Sequence, residues 1–260
     1  MNDQKFPIAV IGAGNIGAAV ARGLACANIE VRLYNRSANR LDAMADKERF
    51  GLMTTDISKA VEGAMMVVIC VEGDAVQPVI KQIGKQISKS KPAIISCAAL
   101  PSLAQLEEWV KPHISKPRIA RVLPNIAATC GESVNLVCTS GMDENEESAI
   151  CRLFDTTGKS YHVDEALFPA AMAISSCGIA NVLRYVRAVA EAGVELGLSP
   201  ELATRLASGS LAGTSALLDT TGSHPEVLID RVTTPGGLTI RGLNAMEAAG
   251  FSAAVGAGIK

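Results

Sequence analysis

Apolar residues in roughly the first 163 positions come in short blocks. The runs "IAVIGAG", "EVRLYN", "MMVVICV", "PAIISCA", "RIARVLP" and "VNLVCT" are each about as long as a strand buried on both faces. Helix-like stretches such as 15–27 and 102–111 stand between them. This βαβ rhythm predicts a doubly wound α/β domain over 1–163, with a parallel sheet.

From about residue 164 the period changes. "IANVLRYVRAVAEAGVELGL" sets Leu183, Val186, Val189 or Ala190, and Val194 at helical spacing. "SPELATRLASGSLAGTSALL" follows, with Ser199 placed to cap a helix and Pro200 at its first position. After a Pro-Gly-Gly break, Ile240, Leu243 and Met246 again keep helical spacing. An all-α domain over 164–260 is expected. Its many Ala and Gly residues let helices approach closely, which suits either packing against a second subunit or the core of one domain.

Composition narrows the classes. A chain of 260 residues, 48% hydrophobic, can bury a core across one large or two small domains. A net charge of −2 with 3% aromatics gives no electrostatic footprint for nucleic acid. The longest wholly apolar run, residues 64–71, is too short to cross a bilayer. "MNDQKF" does not read as a secretory leader. The seven cysteines, at 26, 70, 97, 130, 138, 151 and 177, contain no CxxC pair; an odd number, several inside apolar runs, reads as reduced, buried thiols in a cytoplasmic protein. His113, His162 and His224 share no ligand spacing with them, so no metal site is expected.

"VIGAGNIGAAVARGL" places Gly12, Gly14 and Gly17 in G-x-G-x-x-G, after a strand and at the start of a helix. That context is the dinucleotide-binding fingerprint of a Rossmann domain. Gly12 makes the tight turn, Gly14 lets the backbone approach a pyrophosphate, and Gly17 lets helix and strand pack. Asn15 and Ile16 sit inside the fingerprint. The second run ends at Asn35, Arg36 and Ser37, where an NAD site usually carries an Asp or Glu. A guanidinium and two small polar groups suit a 2′-phosphate, which favours NADPH. The alternative is a solvated Arg36 and a site that takes NADH as well.

The fingerprint does not fix the substrate. Alcohol-oxidising dehydrogenases need a base near the hydride acceptor, commonly His or Lys. The expected helix 178–197 carries neither; its charges are Arg184, Arg187, Glu191 and Glu195. Reduction of a C=N bond needs less, because a cyclic imine is protonated easily. A hydroxyl donor and a carboxylate anchor suffice.

The segment "VTTPGGLTIRGLNAMEAAGF" closely resembles the C-terminal signature of pyrroline-5-carboxylate reductases, Ser/Thr-Pro-Gly-Gly-x-Thr-Ile leading into a helix with Leu-Glu. "GAGNIG", "VLPN" at 122–125, "AEAGVELGLSPELA" at 190–203 and "HPEVLIDRVTTPGG" at 224–237 follow the family's order across nearly the whole chain. The resemblance implies NAD(P)H reduction of 1-pyrroline-5-carboxylate to L-proline. It also implies an interlocking helical domain that makes a homodimer or a larger homo-oligomer. Carried over by motif, Thr239 would hydrogen-bond the imine nitrogen, and the backbone at Gly237 and Leu238 would line the site. A helix start spanning Ser175, Ser176, Cys177 and Gly178 would bind the substrate carboxylate. Cys70, Val71 and Ala98 would lie along the cofactor, with Pro124 and Asn125 near the nicotinamide.

The departures are local. Where the family reads Ser-Gly-Ser-Gly-Pro-Ala-Tyr, this chain reads "SSCGIAN", residues 175–181. Cys177 thus stands in for a hydroxyl with a weaker donor, and Ile179 for a helix-starting Pro. The family's Ala-Val-Lys-Pro is here "CVEG", and the Thr-Pro after "VLPN" is here "IA". A different imine or keto acid, or a non-catalytic NADP-binding paralogue, are the alternative readings.

Overall fold

A computed structural model describes residues 7–260; "MNDQKF", read above as carrying no leader, lies outside the described residues. The chain forms two compact units, the first ending at Ser176 and the second spanning Cys177–Lys260.

In the first unit the elements alternate as the apolar blocks require. They run β1 (Ile8–Ile11), α1 (Asn15–Cys26), β2 (Val31–Tyr34), α2 (Ala38–Asp42), β3 (Leu52–Thr54), α3 (Ile57–Val61), β4 (Met66–Ile69), α4 (Gly73–Ser90), β5 (Ala93–Ser96), α5 (Leu103–Val110), β6 (Ile119–Leu123), β7 (Ser133–Ser140), α6 (Glu144–Phe154), β8 (Gly158–His162) and α7 (Phe168–Ser175). The sheet order is β3-β2-β1-β4-β5-β6-β7-β8. Order reverses beside β1, which pairs in parallel with both β2 and β4. The sheet is not parallel throughout. β7 pairs antiparallel with β6 and parallel with β8, so the last two strands run against the first six.

Two strands went unread in the sequence. β3 is the three residues "LMT", too short for a period, and β8 is the mostly polar "GKSYH". Both take their conformation from a neighbour's ladder: Arg32 pairs with Leu52, and Ser133 with Gly158.

Period-two alternation feeds two cores, one on each face of the sheet. Val10, Val68 and Ile95 meet Val20 and Leu24 of α1 and Phe154 of α6. Ala9, Ile11, Val67, Ile69 and Ile94 meet Ile80, Ile83 and Ile87 of α4 and Leu106 of α5. Most of these side chains are fully buried. Helix ends are fixed by the chain's own side chains: Ser102 and Gln105 form a capping box on α5, and Asp143 and Glu146 one on α6. α7 packs on this unit, with Phe168 in a small cluster with Leu123, Leu136 and Cys138.

The second unit is all helix: α8 (Gly178–Glu195), α9 (Pro200–Thr221), α10 (Pro225–Arg231), α11 (Leu238–Ala248) and α12 (Phe251–Ile259). Ser199 caps α9, its hydroxyl accepting the Leu202 N–H at 3.3 Å, with Pro200 at the first position as expected. α8 and α9 approach closely through small residues; a Cβ added at Gly193 would stand 3.1 Å from the Ala203 Cβ. Tyr185 and Phe251 meet edge to face, centroids 6.4 Å apart.

This unit has almost no core of its own. Its buried residues are three alanines, Ala190, Ala203 and Ala207. Leu183 is 61% exposed, Leu206 54% and Leu217 51%. One helical stretch, Glu165–Glu195, is also apolar and long enough to cross a membrane by length and composition alone. The wholly apolar runs in the sequence did not reveal it, because polar residues interrupt it.

Candidate active site

The turn between β1 and α1 carries the glycine fingerprint. Gly12 has φ 108°, a conformation that favours glycine, and a Cβ there would stand 2.5 Å from the Cys70 carbonyl oxygen. A Cβ on Gly17 would overlap the Gly12 carbonyl and come 2.9 Å from the Cys70 Cβ. At Gly14 an added Cβ would meet nothing within 4 Å. Two glycines are therefore needed for packing, while Gly14 faces open space where a phosphate group could approach.

Beside this turn lies a cavity of about 560 Å³ at the carboxyl ends of the strands, next to the point where sheet order reverses. Asn15 and Ile16 of α1 bound it on one side, and Cys70, Val71, Cys97 and Ala98 on the other. Of the residues predicted for the cofactor, Asn15, Ile16, Cys70, Val71 and Ala98 are thus together. Glu72 and Asp74 also line it, and both are exposed. The α1 N-terminus has no side-chain cap and no acidic residue in its first turn. That leaves its N–H groups and the positive end of its dipole toward an anion.

Asn35 turns out to build the loop. Its Oδ1 accepts the Ala13 N–H at 3.1 Å and its Nδ2 donates to the Ser37 carbonyl at 3.0 Å. Arg36 and Ser37 are exposed just beyond, and the Arg36 guanidinium makes no hydrogen bond or ion pair among the described residues. Pro124 and Asn125 are buried at the end of β6. The Asn125 Oδ1 accepts the Ala127 N–H at 3.0 Å, capping the 3-10 turn Ile126–Cys130. Its Nδ2 reaches the Ser175 carbonyl at 3.4 Å.

Ser175 ends α7, and its hydroxyl donates back to the Ala171 carbonyl at 2.8 Å. The helix start expected across Ser175–Gly178 is not a free one there: the Ser176 N–H donates to the Met172 carbonyl at 3.0 Å. Ser176 and Cys177 keep helical dihedrals in the step from α7 to α8, which begins at Gly178. Ser176 is half-buried and Cys177 exposed.

The "TTPGGLT" stretch is a tight turn opening a helix. The Thr234 carbonyl accepts the Gly237 N–H at 3.0 Å across Pro235 and Gly236, with Gly236 at φ 70°. Proline then glycine at these positions is the type II arrangement. Gly237 is needed because a Cβ there would overlap the Thr234 hydroxyl. Neither Thr234 nor Thr239 caps α11; Gly237 occupies the N-cap without a side-chain bond. Thr239 is exposed in the first turn of α11, its hydroxyl without a hydrogen bond among the described residues.

A charged hub escaped the sequence reading. Arg121, 6% exposed, pairs with Glu165 Oε1 at 2.6 Å and donates to the Ala99 carbonyl at 2.6 Å. It lies over the Phe168 ring at 4.8 Å, and Glu165 also accepts the Leu103 N–H at 2.6 Å. This fixes the 99–103 loop beside the cavity. The signal available was an arginine inside the apolar run "RIARVLP", since a buried charge needs a partner. The cysteines also differ from expectation. Cys138 is buried, with its thiol pushed up to about 12 by burial, but Cys26, Cys130 and Cys177 are exposed. Among the described residues no three His, Cys, Asp or Glu side chains gather as a metal site.

Known proteins share both units. A family model described as pyrroline-5-carboxylate reductase dimerisation matches residues 165–260, and one described as NADP oxidoreductase, coenzyme F420-dependent, matches 7–100. The pyrroline-5-carboxylate reductase of Arabidopsis thaliana is 32% identical over 96% of this chain and 90% of its own length. The chain belongs to the pyrroline-5-carboxylate reductase family. The pyrroline carboxylate reductase of Plasmodium falciparum, solved with NADP bound, matches with TM-score 0.81 at 25% identity, covering 100% of this chain and 95% of that one. The fold is also that of a pyrroline-5-carboxylate reductase from Coxiella burnetii, with TM-score 0.88 at 22% identity over 99% and 95% of the two chains. As in other pyrroline-5-carboxylate reductases, the all-α unit is a dimerisation domain, which accounts for its exposed leucines and valines.

Proposed function

We propose that this chain reduces 1-pyrroline-5-carboxylate to L-proline with NADPH, as a cytoplasmic homodimer or larger homo-oligomer. In this division of labour residues 1–163 hold the cofactor, and residues 164–260 hold the substrate and the second subunit. The observation that carries the reading is the cavity beside the glycine turn. Its open side at Gly14 and its uncapped helix start fit a dinucleotide's pyrophosphate, and membership of the family supplies the reaction. The apolar stretch 165–195 is read as an intersubunit face, because Arg184, Arg187, Glu191 and Glu195 recur along α8.

The cofactor, when bound, supplies a hydride to the C=N carbon. The chain's own residues bind and orient. The N–H groups at the start of α1 hold phosphate oxygens, and Arg36 and Ser37 stand where a 2′-phosphate would be recognised. Val71 and Ala98 flank the cofactor, and Asn125, with Pro124, positions the backbone near the nicotinamide. The Thr239 hydroxyl donates to the imine nitrogen, and the Ser176 hydroxyl, the Cys177 thiol and the N–H groups of Cys177 and Gly178 anchor the carboxylate, the Ser176 N–H being already bonded to the Met172 carbonyl. Ser175 positions this segment, since its hydroxyl donates to the Ala171 carbonyl and its own carbonyl accepts the Asn125 Nδ2. With no strong acid or base assigned, position and electrostatics provide most of the rate.

A different cyclic imine carboxylate is the second reading. It is favoured by the exposed Cys177, a weaker donor than the family's hydroxyl. NADPH oxidation assayed with pyrroline-5-carboxylate, its six-membered analogue and simple 2-keto acids separates the readings. Turnover of the five-membered imine supports the first, and turnover of only another substrate favours the second. Tight NADPH binding with no turnover of any of them would leave a non-catalytic protein.

A further inference from the structure

Cys70 and Cys97 each lie one residue beyond the last β4–β5 pair, Ile69 with Ser96. The ladder continues to them, the Cys97 N–H donating to the Ile69 carbonyl at 2.9 Å. Both side chains fall on the sheet face that packs with Val10, Val68 and Ile95, and both line the cavity described above. Neighbouring strands stand about 4.8 Å apart. That separation is within the Cα range a disulfide spans, about 4.4–6.8 Å.

We propose that this pair is an oxidative modification site, at which hydrogen peroxide entering the cavity joins Cys70 to Cys97 and so competes with the cofactor. The Cys70 thiol beside it and burial push the Cys97 thiol well above its usual range, holding it protonated. In the proposed order Cys70, beside the glycine turn, attacks first. Its sulfur displaces one oxygen of the peroxide, the O–O bond breaks, and a sulfenic acid and water result. The Cys97 sulfur then attacks the Cys70 sulfur; the S–S bond forms, the S–O bond breaks, and the hydroxyl leaves with the Cys97 proton as a second water. Two thiols and one peroxide thus give one disulfide and two waters, with two electrons passing from sulfur to oxygen.

Gly17 closes over one side of Cys70, an added Cβ there standing 2.9 Å from the Cys70 Cβ, while the other side opens on the cavity. A disulfide removes two hydrogens and adds no atom. The link draws together the strand ends that continue into Val71 and Ala98. Its competition with the cofactor rests on the nicotinamide reading above; the link itself does not.

The test treats the whole purified protein with hydrogen peroxide, with and without saturating NADPH, and maps non-reduced peptides by mass spectrometry. NADPH binding to the reduced protein is first measured by fluorescence titration. The expected result is a Cys70–Cys97 linked peptide, reversed by dithiothreitol and formed at least several-fold more slowly with NADPH. Cys70→Ala and Cys97→Ala each remove that peptide. Each also loses peroxide sensitivity measured against its own untreated activity. Sulfinic or sulfonic acid at either position without a link would overturn the proposal, as would modification confined to Cys26, Cys130 and Cys177. A link formed equally fast in NADPH-saturated protein overturns the competition. Failure of NADPH to bind at all sinks the nicotinamide reading and the competition with it, while the link is judged on the peptide map alone.

Discussion

The two units solve the burial problem in opposite ways. The α/β unit covers both faces of its sheet with its own helices, and Ile80, Ile83, Leu33 and Val68 are fully inside. The helical unit leaves Leu183, Leu206 and Leu217 more than half exposed and buries only alanines. Its helices are well formed locally, with Ser199 and Pro200 starting α9 and Gly222 in the left-handed conformation at its end. Good local signals and a missing core together mean that the core is shared. Its match to a dimerisation domain supports a homo-oligomer in which another copy of the chain covers this face.

That contrast can be broken most sharply at Leu206. Leu206→Glu places a charge in the apolar face, and an unpaired buried charge is among the costliest substitutions. Sedimentation should show loss of the oligomer, and activity should fall by about two orders of magnitude or more. An unchanged mass would mean that the face is not the interface. In the first unit, Gly17→Ala should destabilise the fold by about 3 kcal/mol or more in denaturant unfolding, since its Cβ has no room beside Gly12. Thr239→Ala should lower kcat by about a hundredfold with NADPH affinity unchanged, as for loss of one transition-state hydrogen bond. Wild-type turnover would remove Thr239 from the mechanism. Gly14→Ala sharpens the reading of the loop. Its Cβ meets nothing, so thermal stability should hold while NADPH affinity drops about tenfold, a cost near 1.4 kcal/mol. Arg36→Ala should have the smallest effect, a few-fold loss of preference for NADPH over NADH in kcat/KM.

Much of the architecture was legible because strands buried on both faces and amphipathic helices write different periods. The helix starts at Asn15, Leu103, Pro200 and Leu238 fall close to where the pattern put them. What stayed hidden was short, polar or contributed by a neighbour. β3 and β8 carry no period, and the reversed direction of β7 depends on how the chain returns, which local sequence does not encode. At the site, the glycines and the cavity-lining Val71 and Ala98 were readable from motif. The roles of Asn35, Asn125 and Ser175 were not, because each side chain makes a hydrogen bond to a backbone group distant in sequence or one helical turn back.

The βαβ alternation, the Gly12-Gly14-Gly17 turn and the break at Pro235 are written in the amino-acid order, since each depends on residues within one turn or one strand of each other. That Gly14 faces open space while Gly17 abuts Cys70, that Cys70 and Cys97 share one face, and that Arg121 finds Glu165 and the Ala99 carbonyl follow from the folded packing alone. These are meetings between distant parts of the chain. Strand order and packing fix such meetings, whereas local sequence records only which partners are free to make them.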